Sequence, residues 1–245
     1  MTSRLIRITE TLLVVLVAVL AAVTVRAQPG RTQLAVEKAL SDESDLRHIE
    51  VSINGNEVTL AGQVETFWAK SEAIRLALRV PGVDTVASEL AIPVAENDEA
   101  LAEEVSKAVQ RYAHFTIWDY IGGRINQGVV TLTGSVTPDR DKAGEIFERV
   151  AKIQGVQDVQ SSIQTLSPSR IDESLRFDIA RRLFSNDHFE RFAGRSNPPF
   201  HIIVNNGVVT LIGYVQGDIE RIEMQRIVGQ TQGVLRVDNQ LETIR

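Results

Sequence analysis

The stretch Val58-Thr59-Leu60-Ala61-Gly62-Gln63-Val64 recurs as Val130-Thr131-Leu132-Thr133-Gly134-Ser135-Val136 and again as Val209-Thr210-Leu211-Ile212-Gly213-Tyr214-Val215. A second signature follows each copy: Gly82-Val83-Asp84-Thr85-Val86, Gly155-Val156-Gln157-Asp158-Val159 and Gly233-Val234-Leu235-Arg236-Val237. The glycine pairs Gly62/Gly82, Gly134/Gly155 and Gly213/Gly233 are 20, 21 and 20 residues apart. Repetition in register at three places means one folding unit written three times, with boundaries expected at residues 28–94, 95–167 and 168–245.

Working outward from the signatures gives the elements. Ala73, Ala77 and Val80 in the first unit match Ile146, Val150 and Ile153 in the second and Met224, Val228 and Thr231 in the third. That spacing of four and three is one face of a helix, and Pro138 suits the first turn of the middle one. The alternating positions Val86, Leu90 and Ile92, then Val159 and Ile163, then Val237 and Leu241 predict a strand after the second glycine. An earlier helix is marked by Val36 and Leu40, Val105 and Val109, and Ile179 and Leu183. Asn54-Gly55-Asn56, Asn126-Gln127-Gly128 and Asn205-Asn206-Gly207 tolerate the positive φ of a tight hairpin. Gly62, Gly134 and Gly213 fit a bulge or a close approach of backbone. The expected fold is therefore α+β: three tandem αββαβ modules, each a small three-stranded mixed sheet packed by two helices, with the second helix carrying the chain back to a parallel strand.

The first 27 residues read as a signal peptide. Arg4 and Arg7 precede an uncharged apolar run from Leu12 to Val23, and Val25 and Ala27 occupy the −3 and −1 positions before Gln28. The run is short for a membrane span, which needs about 20 apolar residues. An uncleaved anchor is the alternative, supported by Glu10 and Arg26. Either way the remainder is exported, to the periplasm or beyond. With no cysteine at the cleavage site, a lipoprotein anchor is excluded.

The triplicated Val-Thr-Leu-x-Gly-x-Val, a helix, then Gly-Val-x-x-Val with Ser88, Ser161 or Asn239 before the last apolar strand resembles the BON domain, named for bacterial osmotically inducible and nodulation proteins. The resemblance covers nearly all of the chain after the leader. It implies an αββαβ module, often in tandem behind an export signal. It also implies a role in envelope integrity or osmotic-stress protection and, in some members, binding of anionic phospholipid.

Composition narrows the function classes. Among 245 residues, 26 Lys and Arg stand against 32 Asp and Glu, a net charge of −6. Removing the leader takes this to −8. Nucleic acid is an unsuitable partner for such a surface, because duplex affinity depends on cationic neutralisation of phosphates. No cysteine means no disulfide framework, thiolate metal site or cysteine nucleophile. His48, His114, His188 and His201 lack metal-ligand spacing, and there is no nucleophile elbow, phosphate loop or dinucleotide fingerprint. Gly122-Gly123 is too bare to cradle phosphate, and Glu103 and Glu104 are adjacent on a helix and point apart. No catalytic residue, metal or cofactor is expected, and the chain reads as a non-enzyme.

Individuality lies where the units differ. From the first helix to the hairpin glycine the chain runs 15, 19 and 24 residues, measured from Leu40, Val109 and Leu183. The added segments hold Tyr112, His114, Phe115, Trp118 and Tyr120 in the second unit. In the third they hold His188, Phe189, Phe192, Pro198, Pro199 and Phe200. Phe115 and Phe189 suit local core that plugs the sheet's open end, whereas Trp118, Tyr120 and Phe192 suit a ring facing a partner or bilayer surface. Charge differs too: the first two units carry −4 each and the third is neutral. Arg176, Arg181, Arg182, Arg191 and Arg195 lie in or after its first helix, interleaved with Leu175, Phe177, Ile179, Leu183 and Phe184. This mixture suits contact with an anionic phospholipid surface, or else a solvated arginine face paired with Asp172, Glu173 and Asp178. The expected contact residues are Arg181, Arg182, Phe184, Phe189, Phe192, Trp118 and Tyr120. The alternative to lipid is an adaptor that docks an envelope protein through edge strands or the aromatic insertions.

Overall fold

The computed structural model describes residues 29–95, 97–195 and 197–244. The leader expected over residues 1–27 lies outside them. Among the described residues no helix is long and apolar enough to cross a membrane.

Three αββαβ modules follow one another. The first comprises α1 (Pro29–Ser41), β1 (Glu50–Asn54), β2 (Glu57–Gln63), α2 (Phe67–Leu78) and β3 (Thr85–Ala91). The second comprises α3 (Asp98–Gln110), β4 (Tyr120–Asn126), β5 (Val129–Val136), α4 (Lys142–Ala151) and β6 (Asp158–Thr165). The third comprises α5 (Arg170–Phe184), β7 (Phe200–Asn205), β8 (Val208–Gln216), α6 (Gly217–Gly229) and β9 (Arg236–Ile244). Each sheet has its second strand in the middle, antiparallel to the first and parallel to the third. The first helix of a module packs over its first strand and the second helix over its third.

The repeated Val-Thr-Leu segment becomes the central strand because alternation sends Val and Leu to the helices and Thr to the other face. Val58 and Leu60, Val130 and Leu132, and Val209 and Leu211 are all buried, and each pair meets the helical stripe read from the sequence. Side chains buried this way stabilise by about 1.5–3 kcal/mol each. The hairpins turn through two residues: Gly55 has φ +65° in the first, while Gln127/Gly128 and Asn206/Gly207 are all left-handed in the others. Thr66, Asn97, Asp141 and Ser169 cap α2, α3, α4 and α5 by accepting a backbone N–H three residues on. Because Asp141 is the cap, the middle helix begins at Lys142, and Pro138 lies ahead of it rather than in its first turn.

The modules close the gap between first helix and first strand differently. The first uses Leu46 and Ile49, and the second Tyr112 and Phe115. The third uses Phe189, Phe192 and Phe200, whose rings meet edge to face at centroid distances of 6.1 and 5.1 Å. Phe189 and Phe192 are therefore core residues, 0% and 7% exposed. The expectation that Phe192 rings an outer surface is corrected: its ring is needed to seal a longer helix-to-strand connection.

Candidate functional site

Large apolar side chains left in solvent are concentrated in the third module. Among the described residues, Ile171, Phe177, Tyr214, Ile219, Ile222, Leu235 and Ile244 are exposed there, and none in the second module. On α5 the inward stripe is Asp172, Leu175, Ile179 and Leu183. The outward face holds Arg170, Phe177 and Arg181 at spacings of seven and four, with Phe177 68% exposed. Arg182 is exposed beside them and Phe184, three residues beyond Arg181, is half-buried. Arg181 donates to Asp178 at 3.0 Å, an exposed pair worth little in water. On α6, Ile219, Ile222 and Arg226 share a second outward stripe, with Arg226 held by Glu223.

The pairing of arginines with Asp172 does not form. Asp172 is 2% exposed and accepts the backbone N–H of Asn206 at 2.8 Å and of Gly207 at 3.0 Å. Asp98 grips Gln127 and Gly128 in the same way at 2.7 and 2.9 Å. A carboxylate seven residues before Val105 and Ile179, in two units of three, was the sequence signal for this clamp.

Trp118 and Tyr120 sit at the junction of the second and third modules. Trp118 is half-buried and packs against the third core, which also takes in Ile117. Tyr120 lies 5.9 Å from the His201 ring and Phe115 5.4 Å from it. The N–H of Ile202 donates to the Ile117 carbonyl at 2.7 Å. These aromatics join modules and do not stand out as a free ring. Burial holds the His201 imidazole below its ordinary pKa of 6.5, and its Nδ1 is buried without a hydrogen-bond partner.

A buried ion pair fixes the second module's side of this joint. Asp119 is 0% exposed and Lys142 1%. One Asp119 oxygen accepts the Thr116 N–H and Oγ1–H and the Lys142 ammonium at 2.8, 2.8 and 2.9 Å. The other accepts the Thr137 N–H at 2.8 Å, while the Thr137 hydroxyl, 3.0 Å away, donates its proton to Asp139 at 2.6 Å. Lys142 also reaches the Thr137 hydroxyl at 2.7 Å and Asp139 at 3.1 Å. Asp139 is held below the ordinary carboxylate range, because the hydrogen bonds from Thr137 and Lys142 together outweigh its desolvation. Nothing in the spacing of Asp119 and Lys142 announces this pair, since it is made by tertiary packing.

The repeat glycines are backbone devices. Gly62, Gly134 and Gly213 have φ of +126°, +128° and +111°, and Gly82, Gly155 and Gly233 have +94°, +88° and +97°. At Gly134 a Cβ would also collide with the Tyr120 carbonyl across the sheet. Among the described residues no group of three or more His, Cys, Asp or Glu could hold a metal ion.

Comparison with known proteins adds three findings. A family model described as the BON domain matches residues 30–93 and 172–245. None of the curated proteins compared with the chain matches it. Among solved structures, the C-terminal domain of CdsD, the structural protein of the type III secretion system of Chlamydia trachomatis, is 14% identical at a TM-score of 0.25. The match covers 86% of this chain and 96% of that one. The PrgH periplasmic domain is 11% identical at a TM-score of 0.21, covering 85% and 99%. Scores this low carry no argument about function.

Proposed function

The chain belongs to the BON-domain family, and from that premise we propose that it is an exported, non-enzymatic protein of the cell envelope that binds the membrane surface through its third module. The surface it takes is anionic phospholipid, and the role is envelope integrity or osmotic-stress protection. The middle segment, with the same αββαβ order, serves as a third BON module between the two matched ones. The family and the leader expected at residues 1–27 support envelope placement.

One observation carries the lipid reading. The only module without net negative charge is also the one that exposes Ile171 and Phe177 beside Arg170, Arg181 and Arg182 on a single helix. Apolar side chains can enter the headgroup boundary while the arginines meet phosphate. The acidic first and second modules would be held away from an anionic bilayer, which orients the chain with α5 toward it. The aromatic insertions favour an adaptor less, because Phe189 and Phe192 are buried and Trp118 and Tyr120 are half-buried at the junction with the third module.

Flotation with phosphatidylglycerol vesicles tests the proposal. Recruitment should occur at low salt, weaken as salt screens the arginines, and fall with Arg181→Glu/Arg182→Glu and with Phe177→Ser. Absence of recruitment at low salt refutes it.

A further inference from the structure

The shared register reveals a missing side chain in the second module. Opposite Leu60 and Leu211, on the face toward the helices, stand Val51 and Ile202; opposite Leu132 stands Gly123. Ile202 is fully buried, whereas Gly123 is exposed. A Cβ at Gly123 would lie 2.5 Å from the Thr131 carbonyl oxygen, so β4 passes too close to β5 to carry any side chain there. Gly122 removes the neighbouring side chain as well.

The space that the sibling modules fill is here continuous with a cavity of about 990 Å³ between α3, β4 and the β7–β8 end of the third module. That is near the upper end of the ~300–1,000 Å³ typical of ligand clefts. Val105, Phe115, Ile121 and Ile125 give it an apolar floor, and Arg124, Arg191 and Arg195 line it. Arg191 is committed to Glu220. Among the described residues neither Arg124 nor Arg195 has an ion-pair partner.

β4 is also a sheet edge. Among the described residues the one backbone hydrogen bond between the second and third modules goes to Ile117, ahead of the strand, while residues 121–125 face the cavity. Unpaired strand edges are templates for another strand, and glycine within a strand marks a place where a second backbone can come close. A fatty chain could use the apolar floor but would leave the β4 donors and acceptors unmatched.

We infer that the β4 edge takes an extended segment of a partner protein as a fourth strand, with an apolar side chain entering the opening at Gly123 and acidic neighbours facing Arg124 and Arg195. Alternation of side chains along the added strand produces this apolar-in, acidic-out pattern. No outward residue of α5 lines the cavity, so the inference stands apart from the lipid proposal.

The test uses the full-length protein and a fluorescein-labelled nonapeptide of alternating valine and glutamate, followed by anisotropy and by hydrogen exchange of residues 121–125. Saturable binding is expected, weakened at least tenfold by Ser106→Trp, which blocks the cavity from an exposed helix position, and by Arg124→Glu/Arg195→Glu. N-methylation of alternate peptide nitrogens should abolish it, exchange at 121–125 should slow on binding, and Arg181→Glu/Arg182→Glu should change nothing. No binding up to ~1 mM, or binding that survives N-methylation or Ser106→Trp, overturns the inference. So does displacement by myristate without protection of 121–125, which would assign the cavity to an amphiphile. Protection of 121–125 that rises with protein concentration alone would assign the edge to a second copy and overturn it equally.

Discussion

Replacing Asp119 by alanine would leave the Lys142 ammonium buried at 1% exposure and take the acceptor from the Thr116 and Thr137 backbone N–H groups and the Thr116 hydroxyl. Removing one member of a buried pair costs about 3–5 kcal/mol, because the surviving charge stays desolvated. The Lys142 ammonium keeps the Thr137 hydroxyl and Asp139, which places the expected loss near the middle of that range, about 4 kcal/mol. With a urea dependence of about 2 kcal/mol per molar, the midpoint of the second module's transition should fall by about 2 M. Trp118 packs on the third core at the end of the segment that Asp119 pins, so in a Trp68→Phe background, where it is the one tryptophan left, its fluorescence follows this joint. A chain of several modules need not unfold in one step, and a local probe keeps the reading specific. Asp119→Leu/Lys142→Met should recover most of the loss, since an apolar pair of similar volume replaces both charges. A shift below about 1 kcal/mol for Asp119→Ala, or a double variant no better than the single one, would refute the claim that this pair fixes the second module's side of the joint.

Asp172→Ala should lower the stability of the third module by about 2–3 kcal/mol, because two N–H groups lose a charged acceptor; a third-module midpoint unchanged in urea would contradict the clamp. Gly134→Ala should cost about 3 kcal/mol or more through positive φ and the collision with the Tyr120 carbonyl, read as a lower Tm of the second module, and wild-type stability would remove the close-approach argument. His201 binds its proton less readily folded than unfolded, so its contribution is intact above pH 6.5 and declines as pH falls through 6.5 toward the depressed folded value. The groups around it are Phe115, Tyr120 and the Asp119 carboxylate. His201→Phe should flatten the fall in Tm between pH 7.5 and 5.5, and equal slopes for the two proteins would refute it.

The repeat made the fold legible. Val-Thr-Leu-x-Gly-x-Val fixes a central strand by alternation, and the four-three spacing behind it fixes a helix that must cover that strand, so element order and sheet order follow from local pattern. Helix starts were less legible: Pro138 suggested an early first turn, but the Asp141 carboxylate accepting the Gly144 N–H decides the boundary. By sequence the insertions suit a mixture of core and surface, yet Phe192 joins Phe189 and Phe200 inside, because how long a connection must be to reach its strand depends on packing at a distance. Asp119 and Lys142, 23 residues apart, meet only once the sheet and α4 have formed. The Gly122-Gly123 pair looked uninformative until the register placed it opposite Leu132, where both sibling modules carry a branched side chain.

Because the chain contains no cysteine, Ser174→Cys gives a single attachment site on the outward side of α5, exposed and one turn from Arg170 and Phe177. A nitroxide there reports directly whether this face meets the bilayer. With phosphatidylglycerol vesicles at low salt, the label should become more accessible to oxygen dissolved in the acyl region and less accessible to a water-soluble nickel chelate. Phosphatidylcholine vesicles should leave both unchanged. A label that stays fully accessible to the nickel chelate with phosphatidylglycerol, while the protein itself floats with the vesicles, would contradict binding through the third module.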